Sequence, residues 1–339
     1  MQIESQGVAG DRCNVLGTLP GDLDYTVVLE AHLDTVPMPS LIAPSGVASG
    51  RLWGRGSCDT KASMAAMLVA IETISASRAS RPTVIFAGVV DEEHAMAGSR
   101  ALIDRLAGVD AIVVGEPTSL RIVRAHNGCL RFEIEVLGRA AHSSRATIGR
   151  NAILDASRVV IALQDLLGRR LENQPHALTG VGLITPTIVA GGVAPNIVPD
   201  SCRLQFDRRV LPGETTASVL DEIDFILEAL RAEFGIDSRR SDPWLDLPAV
   251  EVAEEHDLVQ SALAACHLQL DPCASAIGVP YGTDASIFAG VAGIPSIVVG
   301  PGSIDQAHAQ EEWVNLAEIR HAVDLYVAMV GEFAKRGKG

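Results

Sequence analysis

The chain has 339 residues, 42 of them acidic and 27 basic, giving a formal net charge of −15. That balance argues against nucleic-acid or anionic-membrane binding, and the longest apolar runs fall well short of a membrane span. A hydrophobic fraction of 47% allows a large core, and the length suits two domains.

The first predicted elements alternate strand and helix. Thr26–Asp34 (TVVLEAHLD) is a short β-branched run, the mark of a strand buried on both faces of a parallel sheet. A Gly-rich loop, GRGSCDTKASM, leads into an Ala- and Met-rich helix over 61–76. A second run, Thr83–Glu93 (TVIFAGVVDEE), is followed by a helix expected to reach Leu106, and a third, AIVVGEP, covers 111–117. This is the texture of a doubly wound α/β layer.

Near Arg124 the texture changes. In RFEIEVLG (131–138), Phe132, Ile134 and Val136 share one face with charges on the other, as in an antiparallel strand with one wet face. A helix over 150–170, strands over 180–192 and 197–211, and an amphipathic helix over 214–235 ending at Gly235 complete a β-α-β-β-α unit. The α/β texture returns at His256 and includes a fourth strand-like run, SIVVGPGSIDQAH (296–308). The expected fold is α/β, a doubly wound mixed sheet over 1–122 and 244–339, with an inserted α+β, ferredoxin-like domain over 123–243. The KRGKG tail is expected to fray.

The four apolar runs end in acids or histidine, and ligands of open α/β sheets sit outside the carboxyl ends of the strands. His32, Asp34, Glu92, Glu93, Glu116 and His308 therefore gather at one edge, joined by Asp59 of the Gly-rich loop. Imidazole and carboxylate without cysteine suit zinc, cobalt or manganese, and so many ligands suit two ions per chain. Asp34, two residues beyond His32, is placed to take the free ring N–H of that ligand. Glu92 and Glu93 diverge, so one can bind metal while the other acts as general base. The six cysteines form no CxxC pair and no basic, apolar leader opens the sequence, so a reduced, cytoplasmic protein is expected. Cys58 reads as a small buried residue lining the site.

The motifs HLDTVP, GRGSCDTKASMA, DEEHAMAGS, VVGEPT, GRAAHSS, GGVAPNIVPD, FDRRVLPGE, YGTDASIF and GPGSIDQAH, in this order, cover roughly residues 8 to 332. The chain resembles the co-catalytic metallohydrolases that include acetylornithine deacetylase, succinyl-diaminopimelate desuccinylase, aminoacylase and carboxypeptidase G. That resemblance implies that His32 and Glu116 hold one metal, that Glu93 and His308 hold the other, and that Asp59 bridges. Asp34 then orients His32 and Glu92 is the base. It further implies a homodimer made by the inserted domain, with His142 polarising the scissile carbonyl in the partner subunit's site. Arg209 and Asn196 match substrate contacts, and Gly282 and Thr283 match the wall near the substrate carboxylate. Family members carry an additional N-terminal helix and strand before the position of His32, so a start placed too far downstream, or a truncation, is expected here.

Deacylating members tend to have Glu at the position of Glu116, and GPGSIDQAH is nearer the acetylornithine deacetylase branch. The favoured reaction is removal of acetyl from an N-acylated amino acid such as N-acetylornithine, a step of arginine biosynthesis. Desuccinylation and dipeptide or carboxypeptidase cleavage are the alternatives. A catalytically inactive metal- or amino-acid-binding relative is the non-enzyme reading.

Overall fold

A computed structural model describes residues 1–37 and 45–336. They form two compact units. One comprises Met1–Ala125, Val250–Gly278 and Thr283 onward; the other comprises His126–Ala249 and Val279–Gly282. The borders expected at 123 and 243 lie a few residues before these limits. The last three residues of the KRGKG tail lie outside the described residues.

The first unit begins with β1 (Gln2–Ala9), β2 (Arg12–Leu19), β3 (Thr26–His32), β4 (Gly46–Ala48), β5 (Arg51–Trp53), α1 (Ala62–Ala76), β6 (Thr83–Val89), α2 (Ala97–Leu102), β7 (Ala111–Val114) and β8 (Val123–His126). The second unit contains β9 (Gly128–Leu137), α3 (Ala152–Ala162), α4 (Arg169–Asn173), β10 (Leu183–Gly191), β11 (Ser201–Val210), α5 (Thr216–Phe234), β12 (Asp237–Arg240) and β13 (Leu245–Leu247). The chain closes with β14 (Val250–Glu251), α6 (Asp257–Gln269), β15 (Ile277–Val279), β16 (Ser296–Val298), β17 (Trp313–Asn315) and α7 (Leu316–Arg336).

The main sheet of the first unit runs β1-β2-β6-β3-β7-β16-β8-β14. Its centre is parallel: β3 pairs with β6 and β7, and β7 with β16. Antiparallel β2 and β8 flank that centre, so the sheet is mixed. The four apolar runs are its four parallel strands, which explains why they are apolar on both faces. Val27, Leu29 and Ala31 of β3 pack with Ala66, Met67 and Ala70 of α1, Leu258 and Ala262 of α6, and Tyr326 and Phe333 of α7. Burying each such Val or Leu stabilises the fold by ~1.5–3 kcal/mol. A small three-stranded sheet, β17-β5-β4, ties the Gly-rich loop to the segment after His308.

In the second unit an antiparallel sheet runs β10-β11-β9-β12. Alternate residues of β9 (Leu130, Phe132, Ile134, Val136) and β11 (Cys202, Leu204, Phe206) are buried with α3 and α5, and Phe132 stacks on Phe206 at 5.6 Å between centroids. Thr215 and Ser218 form a capping box at the start of α5, and Gly235, at φ 66°, closes it in the left-handed conformation that favours glycine.

One expected helix is corrected. The one after Glu93 starts only at Ala97, because the Asp91 carbonyl takes the N–H groups of Ala95 and Met96 in a turn, and Met96 is left-handed. The helix expected over 150–170 is present: Asn151 caps α3, and a wider helical turn over Leu163–Gly168 joins it to α4.

Candidate metal centre

The four parallel strands deliver their carboxyl ends to one edge of the main sheet. His32 closes β3 and is buried. Its Nδ1–H donates to the main-chain carbonyl of Asp34 at 3.1 Å, while the Asp34 carboxylate stays 3.7 Å away. Both acceptors of Asp34 thus face this nitrogen, the carbonyl being the nearer. The Asp34 carboxylate also accepts from the backbone N–H groups of Glu92 and Glu93, both at 3.2 Å, and so holds the turn after β6.

With Nδ1 committed, His32 turns Nε2 toward Asp59 Oδ1 at 2.8 Å, with Glu116 Oε1 at 3.8 Å. The other oxygen of Asp59 faces His308: its Oδ2 lies 3.2 Å from His308 Nε2, which is also 3.1 Å from Glu93. His308 has a φ of 60°, a left-handed conformation that non-glycine residues seldom adopt, and this turns its ring over the sheet edge. Asp59 thus stands between two imidazoles, one carboxylate oxygen toward each. Glu92 lies half-buried next to Glu93.

The electrostatics show a cluster that gathers positive charge. Burial would raise Asp59, but hydrogen bonds from His308 and His32 outweigh it and hold the carboxyl far below its usual range. Burial would lower His32, but Asp34 and Asp59 raise it well above its ordinary value. The Asp59 hydrogen bond pushes His308 up to about 9. Burial, and then neighbouring carboxylates, push Glu92 and Glu116 upward. Beneath them Glu30 and Asp284 are also buried. Burial and the Asp284 charge raise Glu30 well above its ordinary value, and burial raises Asp284 to about 6.

These residues fit divalent cations. Because Nδ1 of His32 donates, the Nε2 lone pair of the neutral ring points at carboxylate oxygens, an arrangement that a cation between them satisfies. Donor atoms of His32, Asp59 and Glu93 all lie within 4.8 Å of one another. His32 and Glu116 could hold one ion and His308 and Glu93 another, with Asp59 shared.

Cys58 is buried, and burial pushes its thiol far above its ordinary range. Thr283 is buried and its hydroxyl accepts from Ala285 N–H at 3.2 Å. Gly282 belongs to the second unit.

The other singled-out residues also lie in the second unit, at two separate places. His142 is exposed, and its Nδ1 accepts the Ser144 N–H at 3.2 Å, which leaves the ring proton of the neutral form on Nε2. Asn196 is beside it: its carbonyl accepts from Ser143 N–H at 2.9 Å, and Ile197 bridges His142. Arg209 sits near the far end of β11, opposite Cys129, where its Nε pairs with Asp207 at 2.8 Å. Its neighbour Arg208 is fully buried and bound to Glu214 at 2.7 Å, which removes it as a substrate contact.

Sequence reasoning missed Glu30, Asp284, Arg55 and Glu312. Glu30 had a usable signal, a charged residue inside a strand otherwise apolar on both faces. Glu312 had none, since it resembles any acid before a short strand.

A family model described as "Peptidase family M20/M25/M40" matches residues 28–332. An acetylornithine deacetylase from Vibrio cholerae is 32% identical over 326 residues, covering 92% of this chain and 82% of its own. One from Proteus mirabilis is 31% identical, covering 94% of this chain and 82% of its own. Among solved structures, aminopeptidase PepT from Bacillus cereus superposes with a TM-score of 0.80 at 21% identity, covering 98% of this chain and 89% of its own. An M20 family metallo-carboxypeptidase from Sulfolobus solfataricus gives 0.77 at 16% identity, covering 98% and 90%.

Proposed function

Because the chain belongs to the M20/M25/M40 peptidase family and is a hydrolase acting on amide bonds, we propose that it removes acetyl from an N-acetylated amino acid such as N-acetylornithine. The observation that carries this reading is the Asp59 carboxylate, one oxygen toward His32 and Glu116 and the other toward His308 and Glu93. Deacetylation is favoured over desuccinylation or peptide cleavage by Glu116 and by the acetylornithine deacetylases 31–32% identical to the chain.

In this reading His32, Asp59 and Glu116 hold one divalent ion, and Asp59, Glu93 and His308 the other. When bound, the two ions supply Lewis acidity and make water acidic enough to attack an amide near neutral pH. Glu92 takes the proton of the attacking water and passes it to the leaving amine. Asp34 keeps Glu92 in place through its backbone N–H. His142, with its proton on Nε2, donates to the oxyanion. Arg209 receives the substrate α-carboxylate with its terminal guanidinium nitrogens, a fork that lysine lacks.

His142 and Asn196 lie by the end of β11 near Ser201, eight residues from Arg209, about 26 Å along an extended strand. One small substrate does not span that distance, so it would meet Arg209 of one chain and His142 and Asn196 of another. An apolar face on the same unit supports this reading. Among the described residues β10 is an edge strand, and Ile153, Val160, Ile161, Ile188 and Val189 line an apolar groove of about 440 Å³ beside it. We therefore read the protein as a homodimer formed through this face.

The test is hydrolysis of N-acetylornithine, N-succinyl-diaminopimelate, a dipeptide and an α-amidated N-acetylornithine by protein loaded with zinc, cobalt or manganese. The reading expects N-acetylornithine to be cut best and the α-amide to lose most of its kcat/KM. Preferred cleavage of the succinyl compound or the dipeptide replaces the substrate assignment, and equal cleavage of the amide removes the role of Arg209.

A further inference from the structure

Asp59 can serve two imidazoles only if its carboxylate plane is held edge-on between them. Its own side chain cannot do that, because a rotation about χ1 or χ2 takes one oxygen away. The backbone carrying it must be clamped, and the clamp is visible. Glu312 is buried at 2% exposure, and its Oε1 accepts from the N–H groups of both Cys58, at 2.9 Å, and Asp59, at 3.0 Å. Its Oε2 receives Arg55 Nη1 at 2.6 Å. The other terminal nitrogen of Arg55 donates to the carbonyl of Ala309 at 3.1 Å, the residue next to His308. One ion pair therefore reaches both loops that face each other across the cluster.

The surroundings reinforce the arrangement. The Gly54 N–H donates to the Glu312 carbonyl at 3.0 Å, and Trp313 of β17 pairs with Trp53 of β5. Cys58 packs on Val314 and Ala62. Gly302, at φ 86°, lets the His308 loop pass so close that a Cβ there would lie 2.4 Å from the Cys58 sulfur. Both oxygens of Glu312 are used by these contacts, so it is not itself a ligand.

We propose that Glu312, anchored by Arg55, is a positioning residue that holds the Asp59 carboxylate in bridging orientation and sets its register against His308. This rests on the reading of Asp59 as the shared ligand. Residues that orient metal ligands typically change metal affinity by ~10–100-fold when lost. Glu312→Gln keeps the shape but turns an NH₂ toward Arg55, or else toward the two backbone N–H groups. Arg55→Lys keeps the charge but cannot reach Glu312 and the Ala309 carbonyl together.

The experiment is titration of the metal-free full-length protein with Zn²⁺ by calorimetry, with the visible spectrum of the Co²⁺ form as a second readout. Wild type, Asp59→Asn, Glu312→Gln and Arg55→Lys are compared, with circular dichroism and Tm as controls for folding. Glu312→Gln is expected to bind at least one equivalent ~10–100-fold more weakly, to change the Co²⁺ spectrum, and to lose kcat with little change in KM. Arg55→Lys should shift the same equivalent by a smaller factor. Folded Glu312→Gln and Arg55→Lys proteins with wild-type affinities and spectra, while Asp59→Asn loses metal, overturn the clamp alone. Wild-type binding in Asp59→Asn as well overturns the shared-ligand reading beneath it. If Glu312→Gln does not fold, the Arg55→Lys titration decides: an unchanged result there also overturns the proposal.

Discussion

The two units assemble chemistry in opposite ways. In the first, His32, Asp59, Glu93, Glu116 and His308 come from widely separated parts of the sequence, yet meet because β6, β3, β7 and β16 run parallel and end at one edge. In the second, His142 and Arg209 flank one antiparallel strand and are kept apart by its length. A parallel sheet concentrates side chains at its carboxyl edge, whereas an antiparallel strand carries them to its two ends.

The largest effect expected from breaking this contrast lies in the first unit. Glu92→Gln should keep fold and metal but reduce kcat by ~10²–10⁴-fold, whereas Glu93→Gln should weaken metal binding. Steady-state kinetics with metal analysis of both variants checks this, and reversed outcomes would exchange the two roles.

In the second unit a buried and an exposed arginine should separate cleanly. Arg208 is fully buried against Glu214, an acid that also pairs with Arg170 and accepts the Leu211 N–H, so Arg208→Met, which removes one of its partners without stranding it, should cost about 1–3 kcal/mol in urea denaturation. Arg169, exposed and paired with Asp165 four residues earlier, should cost only ~0.3–0.5 kcal/mol when replaced by Ala.

His126 sits where the sequence passes from one unit to the other. Burial lowers its folded pKa to about 4 from 6.5, while its Nδ1–H donates to the Asn127 carbonyl at 3.0 Å. The folded state thus favours the neutral ring. Its contribution should be complete above pH ~6.5 and fade as pH falls toward 4, by up to about 3 kcal/mol. Urea midpoints across that window should fall less steeply in His126→Gln. An equal slope in both proteins would assign the acid sensitivity to other groups.

The smallest effect is the most direct probe of the second unit's division. Chains of His142→Ala and Glu92→Gln, each nearly inactive, should recover about a quarter of wild-type activity when mixed equally, since half the random dimers would hold one complete site. No recovery, with subunit exchange verified by mass spectrometry, would place His142 in its own chain's site or outside it.

Much of the first unit was legible in the sequence, for a physical reason. A strand buried on both faces must be apolar throughout, so an acid or histidine at its end stands out, as at His32, Glu93 and Glu116. Asp59 was legible from the Gly-rich loop around it. The division of ligands between two ions came from resemblance, since spacing along separate strands says nothing about which donors share a centre. Arg55 and Glu312 were illegible because their role is to hydrogen-bond backbone brought close by the fold, 257 residues apart in sequence. The late start of the helix after Glu93 was illegible for the same reason: its periodicity is helical, but the Asp91 carbonyl captures the N–H groups of Ala95 and Met96 in a turn. In the second unit the alternation in β9 and the Gly235 cap were plain, while the distance between His142 and Arg209 emerged only from the register of β11.

The central claim, a shared Asp59 between two ions in an amide hydrolase, is tested most directly by titrating the chelator-stripped protein with Zn²⁺ while following N-acetylornithine hydrolysis. Activity should be absent without metal, rise with the added ions and reach its plateau at two ions per chain, and Asp59→Asn should abolish that rise. Full activity at one ion per chain, or an unaltered titration in Asp59→Asn, would contradict it.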